Sequence, residues 1–247
     1  MSQTDSRAAA ADAGAVAFGV AVHCCALLAF HVIRPQQSRM PAGCTWSCAQ
    51  VLWTTWQANA LSLVYYSVSL ASTRRHSSDL ERLVAGAYPL VFSLGMCGTT
   101  GYYLLHYLPA VVATWRVRRK LGAGAGPASC CQREEWANHL EHVLAAPAAM
   151  YHAATLRLAD APSHVETAVP TLAFAACSTA VLASHRLATR RWLYPTYEAL
   201  HRRNGLRGVV AMRCVQFALG LLTAYLGRWV AREEKPDLGS RVRTSMT

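Results

Sequence analysis

Two side chains within apolar segments of this sequence could together perform nucleophilic catalysis: the hydroxyl of Thr55 and the imidazole of His142. A threonine hydroxyl is a poor nucleophile until a neighbouring base removes its proton. Imidazole titrates close to neutral pH, so it is the side chain best matched to that task. The pair suggests a hydrolase that works inside lipid rather than in water.

Helical spacing places further polar groups beside Thr55. One helix face carries side chains at i, i+4, i+7 and i+11, namely Thr55, Asn59, Ser62 and Tyr66. Polar groups in a spanning helix turn toward the bundle interior, because lipid offers them no partners. Asn59, one turn after Thr55, is therefore a candidate donor to a developing oxyanion. Thr54 belongs to another face, directed toward lipid or a neighbouring helix.

The segment around His142 repeats this pattern of polar and small residues. Asn138, one turn before His142, could fix its tautomer, and His139 lies three residues before it on the same helix. Small residues at Ala145 and Ala149 let another helix approach closely. Structural roles are the alternative for both reacting groups. A threonine in a membrane helix often bonds the carbonyl four residues back, and a histidine can bond a backbone carbonyl.

Arg213 begins a third polar stripe, which continues through Gln216, Gly220 and Thr223. Its guanidinium could capture a substrate carboxylate or a lipid headgroup. The alternative is that the side chain extends to the nearby membrane interface and keeps its charge in water.

The elements that must position these groups are membrane-spanning helices. Charged residues make up 15% of the chain, against roughly 25% in a typical soluble domain, and they collect between nearly uncharged stretches of about 20 residues. The sequence therefore predicts an all-α integral membrane bundle of about six transmembrane helices. A polar N-terminus at 1–13 and a polar C-terminal tail at 231–247 flank a transmembrane domain at 14–230. The predicted spans are 14–33, 48–72, 83–108, 136–156, 166–184 and 208–230.

This topology brings the candidate residues to one depth. Spans two, four and six begin on the same face of the membrane, and Thr55, His142 and Arg213 each lie about six or seven residues into their spans. At about 1.5 Å per residue, each lies roughly 10 Å below that face. Lysine and arginine are divided too evenly between the two sides to fix the orientation.

The distribution of charge and the spacing of the histidines argue against two other classes, nucleic-acid-binding proteins and metalloenzymes. The charge of +11 comes largely from arginines that flank apolar spans, where they fit lipid headgroups and topology signals better than nucleic acid. The charge therefore favours the bilayer, and not nucleic acid, as a partner. A lipid ester is the predicted substrate of a hydrolase that works inside lipid. No cofactor is predicted. No metal site is predicted either, because the sequence HLEH at 139–142 lacks the HExxH spacing.

Three blocks of this sequence resemble the androgen-induced-gene / androgen-dependent TFPI-regulating protein family of multi-pass membrane threonine hydrolases. The block from Leu52 to Tyr66 is similar to that family's threonine followed ten residues later by paired aromatics. The block from Trp136 to His142 is similar to its Trp-x-Asn-His-x-x-His. The block from Trp192 to Glu198 is similar to its Trp-x-Tyr-Pro-x-x-Glu. With the order of spans, the resemblance covers about residues 14–230.

The resemblance implies hydrolysis of fatty acid esters of hydroxy fatty acids, in the endoplasmic reticulum or plasma membrane. The family's threonine nucleophile corresponds to Thr55 and its histidine to His142, the second of the pair. Two positions depart from the family pattern: a frequent glutamine is Ser62 here, and a frequent threonine after the histidine is Val143. These departures concern the range of substrates more than the reaction.

Two other functions remain open at the level of sequence. Paired histidines on facing helices could bind haem in a transmembrane redox protein. The candidate ligands are His23, His31, His106, His139, His142, His152 and His185. The third possibility is a membrane regulator without catalytic activity.

Overall fold

Six α-helices follow one another in the computed structural model, which describes residues 3–33, 54–75, 77–107, 142–156 and 162–232. No strand occurs in these ranges, so the predicted all-α class is confirmed. The helices are α1 (Gln3–Ile33), α2 (Thr54–Arg75), α3 (Ser78–Tyr107), α4 (Ala145–Thr155), α5 (His164–Thr189) and α6 (Pro195–Arg232).

Four of these helices are long and apolar enough to cross a membrane, which makes the chain a membrane protein. The candidate spans are Ala11–Ala29, Ser78–Gly101, His164–Thr189 and Thr196–Ala231. They correspond to the first, third, fifth and sixth predicted spans. The second, α2, carries many serine and threonine residues and is not among the candidates. Only part of the predicted span at 136–156 lies in the described residues, and its helix α4 has 11 residues.

Helix α3 lies at the centre of the bundle and packs against α2, α4, α5 and α6, while α1 covers α2 and α4. Two glycines permit the closest approaches. A Cβ atom at Gly19 would lie 2.5 Å from the ring of Tyr66, and one at Gly95 would lie 2.8 Å from the carbonyl oxygen of Ala145. Helix α1 therefore rests directly on α2, and α3 rests directly on the beginning of α4.

A tyrosine-rich core joins α1, α2, α3 and α4. Tyr65, Tyr66 and Tyr88 are buried around the imidazole of His152, whose Nε2 lies 2.9 Å from the Tyr65 hydroxyl. On the other side of this ring, Nδ1 lies 3.7 Å from a carboxylate oxygen of Asp12. Hydrogen bonds inside a low-dielectric core are specific in geometry, so this cluster fixes the register of four helices.

Helix α6 is divided at Gly205, where φ is 63° and ψ is −158°. Only glycine adopts this conformation readily, and it separates an initial segment at 195–204 from the apolar segment that follows. The turn that leads from α5 into α6 is closed by Glu198, whose carboxylate accepts a hydrogen bond from the backbone N–H of Trp192 at 3.1 Å. The Tyr194 hydroxyl in turn accepts a hydrogen bond from the backbone N–H of Thr54 at 2.8 Å. The block from Trp192 to Glu198 therefore holds the beginning of α2.

Candidate active site

A cavity of about 490 Å³ lies where α2, α3, α5, α6 and the beginning of α4 meet. This volume falls within the roughly 300–1,000 Å³ of typical small-molecule sites. Four of the six predicted site residues line it: Thr55, Asn59, His142 and Arg213. The other two, Asn138 and His139, lie outside the described residues.

Thr55 lies in the first turn of α2 and its hydroxyl makes no hydrogen bond in the described part of the chain. Two other hydroxyls on this helix donate to the carbonyl four residues back. Ser67 donates to the carbonyl of Leu63 at 2.8 Å, and Thr73 donates to the carbonyl of Ser69 at 3.0 Å. Bonding to the carbonyl four residues back is the usual structural role of such a hydroxyl in a helix. Thr55 faces the cavity, as a nucleophile must, and the carbonyl four residues before it belongs to Val51, which lies outside the described residues.

Thr54 was expected to point toward lipid or a neighbouring helix, and it also lines the cavity. The reason is its position at the helix end, where its backbone N–H donates to Tyr194. Because the cavity reaches the end of α2, the adjacent residues Thr54 and Thr55 both line it, although they lie on different faces of the helix.

Asn59 is buried one turn after Thr55 and its side chain is directed back toward it. The Asn59 amide nitrogen donates to the Thr55 carbonyl oxygen at 3.0 Å. The amide oxygen lies 2.7 Å from Nδ1 of His23 on α1. The amide group is thus held between two helices, with its donor end on the side of Thr55.

His142 is positioned by α3, one turn before α4 begins. The hydroxyl of Thr99 donates a short hydrogen bond to the His142 carbonyl oxygen and accepts one from the backbone N–H of Ala146 at 3.1 Å. Gly95, one turn earlier on α3, allows this close contact. The imidazole lines the same cavity as Thr55, although the two side chains are not hydrogen-bonded to each other. Such contacts often tighten only when substrate binds.

Arg213 is directed into the bundle rather than to the membrane interface. Its guanidinium crosses from α6 to α5 and also lies 5.3 Å from the ring of Phe217. Five neutral residues accept its hydrogen bonds at 2.7–3.4 Å: Ala175, Ser178, Thr179, Tyr197 and Gln216. No carboxylate pairs with it among the described residues, and none lines the described cavity wall. The cavity therefore carries a positive charge that no described acidic group neutralises.

His23 is the site residue that reasoning from the sequence missed, apart from its inclusion among the possible haem ligands. It is 3% exposed, it stacks on Tyr66 with ring centroids 5.6 Å apart, and it lines the cavity. The sequence did contain a signal. His23 and Asn59 both lie near the middle of their predicted spans, and consecutive spans run in opposite directions, so the two residues share a depth.

Among the described residues, no group of three or more His, Cys, Asp or Glu side chains could hold a metal ion. Two candidate haem ligands, His23 and His152, both pack against the ring of Tyr66. Each also has a side-chain partner, Asn59 for the first and Tyr65 for the second. No observation in the described structure therefore favours haem binding.

No protein-family model, curated protein or solved structure matches this chain.

Proposed function

We propose that this protein is an intramembrane lipid ester hydrolase with Thr55 as its nucleophile and His142 as its general base. One observation carries the proposal. The Thr55 hydroxyl and the His142 imidazole, which come from α2 and from the segment just before α4, line one cavity inside a bundle in which four helices are apolar enough to cross a membrane. The family resemblance of the sequence supports the same assignment of both residues.

The reaction begins with attack of the Thr55 oxygen on the ester carbonyl carbon, while the hydroxyl proton passes to His142. The resulting tetrahedral intermediate carries a negative oxygen, and we assign its stabilisation to the second N–H of the Asn59 amide, whose first N–H is donated to the Thr55 carbonyl. Its collapse breaks the bond to the alcohol oxygen, and that oxygen takes the proton from His142. Water, deprotonated by the same imidazole, then hydrolyses the acyl-threonine and regenerates the free hydroxyl.

The substrate class that fits this cavity is a fatty acid ester of a hydroxy fatty acid. Its two alkyl chains suit an apolar cavity reached from the bilayer, and its carboxylate suits a site that contains an arginine without a described acidic partner. The partners are thus a lipid ester and the bilayer itself. We further propose a multi-pass protein of about six spans in the endoplasmic reticulum or plasma membrane.

Turnover of such an ester by the purified protein, reconstituted in lipid, tests the proposal. We expect His142→Ala to lower kcat by about 10²–10⁴-fold, the usual contribution of general-base catalysis. Thr55→Ala removes the nucleophile and should lower kcat at least as much. Ser67→Ala is the matched control, because it removes a hydroxyl of the same helix that is occupied by the Leu63 carbonyl. A folded protein without turnover would favour a non-catalytic membrane regulator.

A further inference from the structure

The imidazole of His23 is held in one orientation by two neighbours on α2. Its ring stacks on Tyr66 with an interplanar angle of 21°, and its Nδ1 lies 2.7 Å from the Asn59 amide oxygen. Gly19, one turn earlier on α1, lets the helix approach the Tyr66 ring closely enough for this contact. His23 is thus built into the wall of the cavity rather than placed there by a flexible side chain.

The hydrogen bonds determine which atoms carry protons. The Asn59 amide nitrogen donates to the Thr55 carbonyl, so the atom facing His23 must be the amide oxygen. An amide oxygen only accepts hydrogen bonds. Nδ1 of His23 must therefore carry a hydrogen, and in the neutral ring Nε2 then carries the lone pair.

We propose that His23 is a positioning residue for hydrolysis: its Nδ1–H fixes the Asn59 amide so that the nitrogen, and not the oxygen, faces the reacting carbonyl beside Thr55. This inference rests on the function proposed above. If the amide turned over, its oxygen would face the developing oxyanion and repel it. An ionised acceptor attracts an N–H donor more strongly than a neutral carbonyl does, so the benefit arises in the transition state.

The expected signature is a loss of kcat with little change in KM, because the oxyanion is absent from the bound substrate. His23→Leu removes the N–H donor and introduces an apolar side chain of similar bulk. We expect kcat to fall about 10- to 100-fold, somewhat less than the roughly 10²–10³-fold for deletion of an oxyanion donor itself. His23→Asn should recover most of the loss, because its amide nitrogen occupies the place of Nδ1.

A double-mutant cycle with Asn59→Ala separates positioning from an independent role. If His23 acts through Asn59, His23→Leu should lower kcat no further in the Asn59→Ala background. Equal losses in both backgrounds would show that His23 acts on its own, for example as a second base, and would overturn the proposal. Wild-type kcat in His23→Leu, with the protein folded, would overturn it too.

A second comparison covers the case in which His23→Leu fails to fold. His23→Gln places its amide nitrogen one bond farther out, where Nε2 of the imidazole lies, so it should be the less active of the two amide variants. Higher kcat for His23→Gln than for His23→Asn would contradict the positioning role. Absence of turnover in the wild type would instead refute the proposed function, so the two failures are distinguishable.

Discussion

Replacement of Gly95 by alanine tests whether the contact between α3 and α4 places His142. The added Cβ atom would lie 2.8 Å from the Ala145 carbonyl oxygen and 3.0 Å from the Ala149 Cβ, so the beginning of α4 must move by a few tenths of an ångström. Gly86→Ala is the matched control on the same helix, because nothing lies within 4 Å of its added Cβ. Both variants gain the same helix propensity, about 0.5–1 kcal/mol.

The difference between the two variants isolates the steric overlap. Overpacking of this kind costs about 1–3 kcal/mol, so the free energy of unfolding of Gly95→Ala should be lower than that of Gly86→Ala by that amount. In a protein of this size, each kcal/mol lowers the unfolding midpoint by about 2–4 °C. Turnover should fall as well, by about 10-fold, since a misplacement of 1 Å can cost about 100-fold and the expected shift is smaller.

The assay is thermal unfolding of the reconstituted variants, followed by kcat for ester hydrolysis at a temperature where both remain folded. Equal midpoints and equal kcat for Gly95→Ala and Gly86→Ala would refute the reasoning. That result would mean that the close approach at Gly95 neither limits the packing of α4 nor places His142.

Two further predictions concern polar groups inside the bundle. Arg213→Lys keeps the charge but cannot bridge the same five acceptors, so it should lower the unfolding midpoint with only a modest rise in KM. Arg213→Gln removes the charge and should raise KM strongly for an ester that carries a free carboxylate. Masking that carboxylate as a methyl ester should abolish the difference in KM between the two variants, and persistence of the difference would show that the charge does not bind substrate. Tyr65→Phe leaves Nε2 of buried His152 without its 2.9 Å partner and should cost about 1–3 kcal/mol of unfolding free energy. Tyr66→Phe, whose hydroxyl makes no hydrogen bond in the described residues, should cost less, and equal unfolding midpoints would contradict the role of the Tyr65–His152 bond.

Periodicity and depth within the membrane predicted that residues of three predicted spans, the second, fourth and sixth, lie at one level, and residues of all three line the cavity. The stripe through Thr55 and Asn59 indicated the inward face of α2, and similar depths linked it to His142 and Arg213, all of which line one cavity. Both signals follow from the same constraint, because polar groups in lipid must find partners inside the bundle. The all-α class followed from the length of the apolar stretches.

Depth gives a position along the membrane normal but does not identify the neighbouring helix. The sequence therefore did not predict that Arg213 contacts α5, or that His23 contacts Asn59. A membrane span was also predicted at 48–72, but α2, which buries three serine residues, is not among the four described helices that are apolar enough to cross a membrane. The predicted tail at 231–247 begins within α6, which continues to Arg232.

Covalent labelling of the nucleophile tests the central claim most directly. A lipid-like fluorophosphonate reacts with an activated hydroxyl, and peptide mass spectrometry then locates the adduct. We expect the adduct on Thr55, with its formation abolished in Thr55→Ala, strongly slowed in His142→Ala and unchanged in Ser67→Ala. An adduct on another residue, or ester turnover that persists at the wild-type rate in Thr55→Ala, would contradict the assignment of Thr55 as the nucleophile.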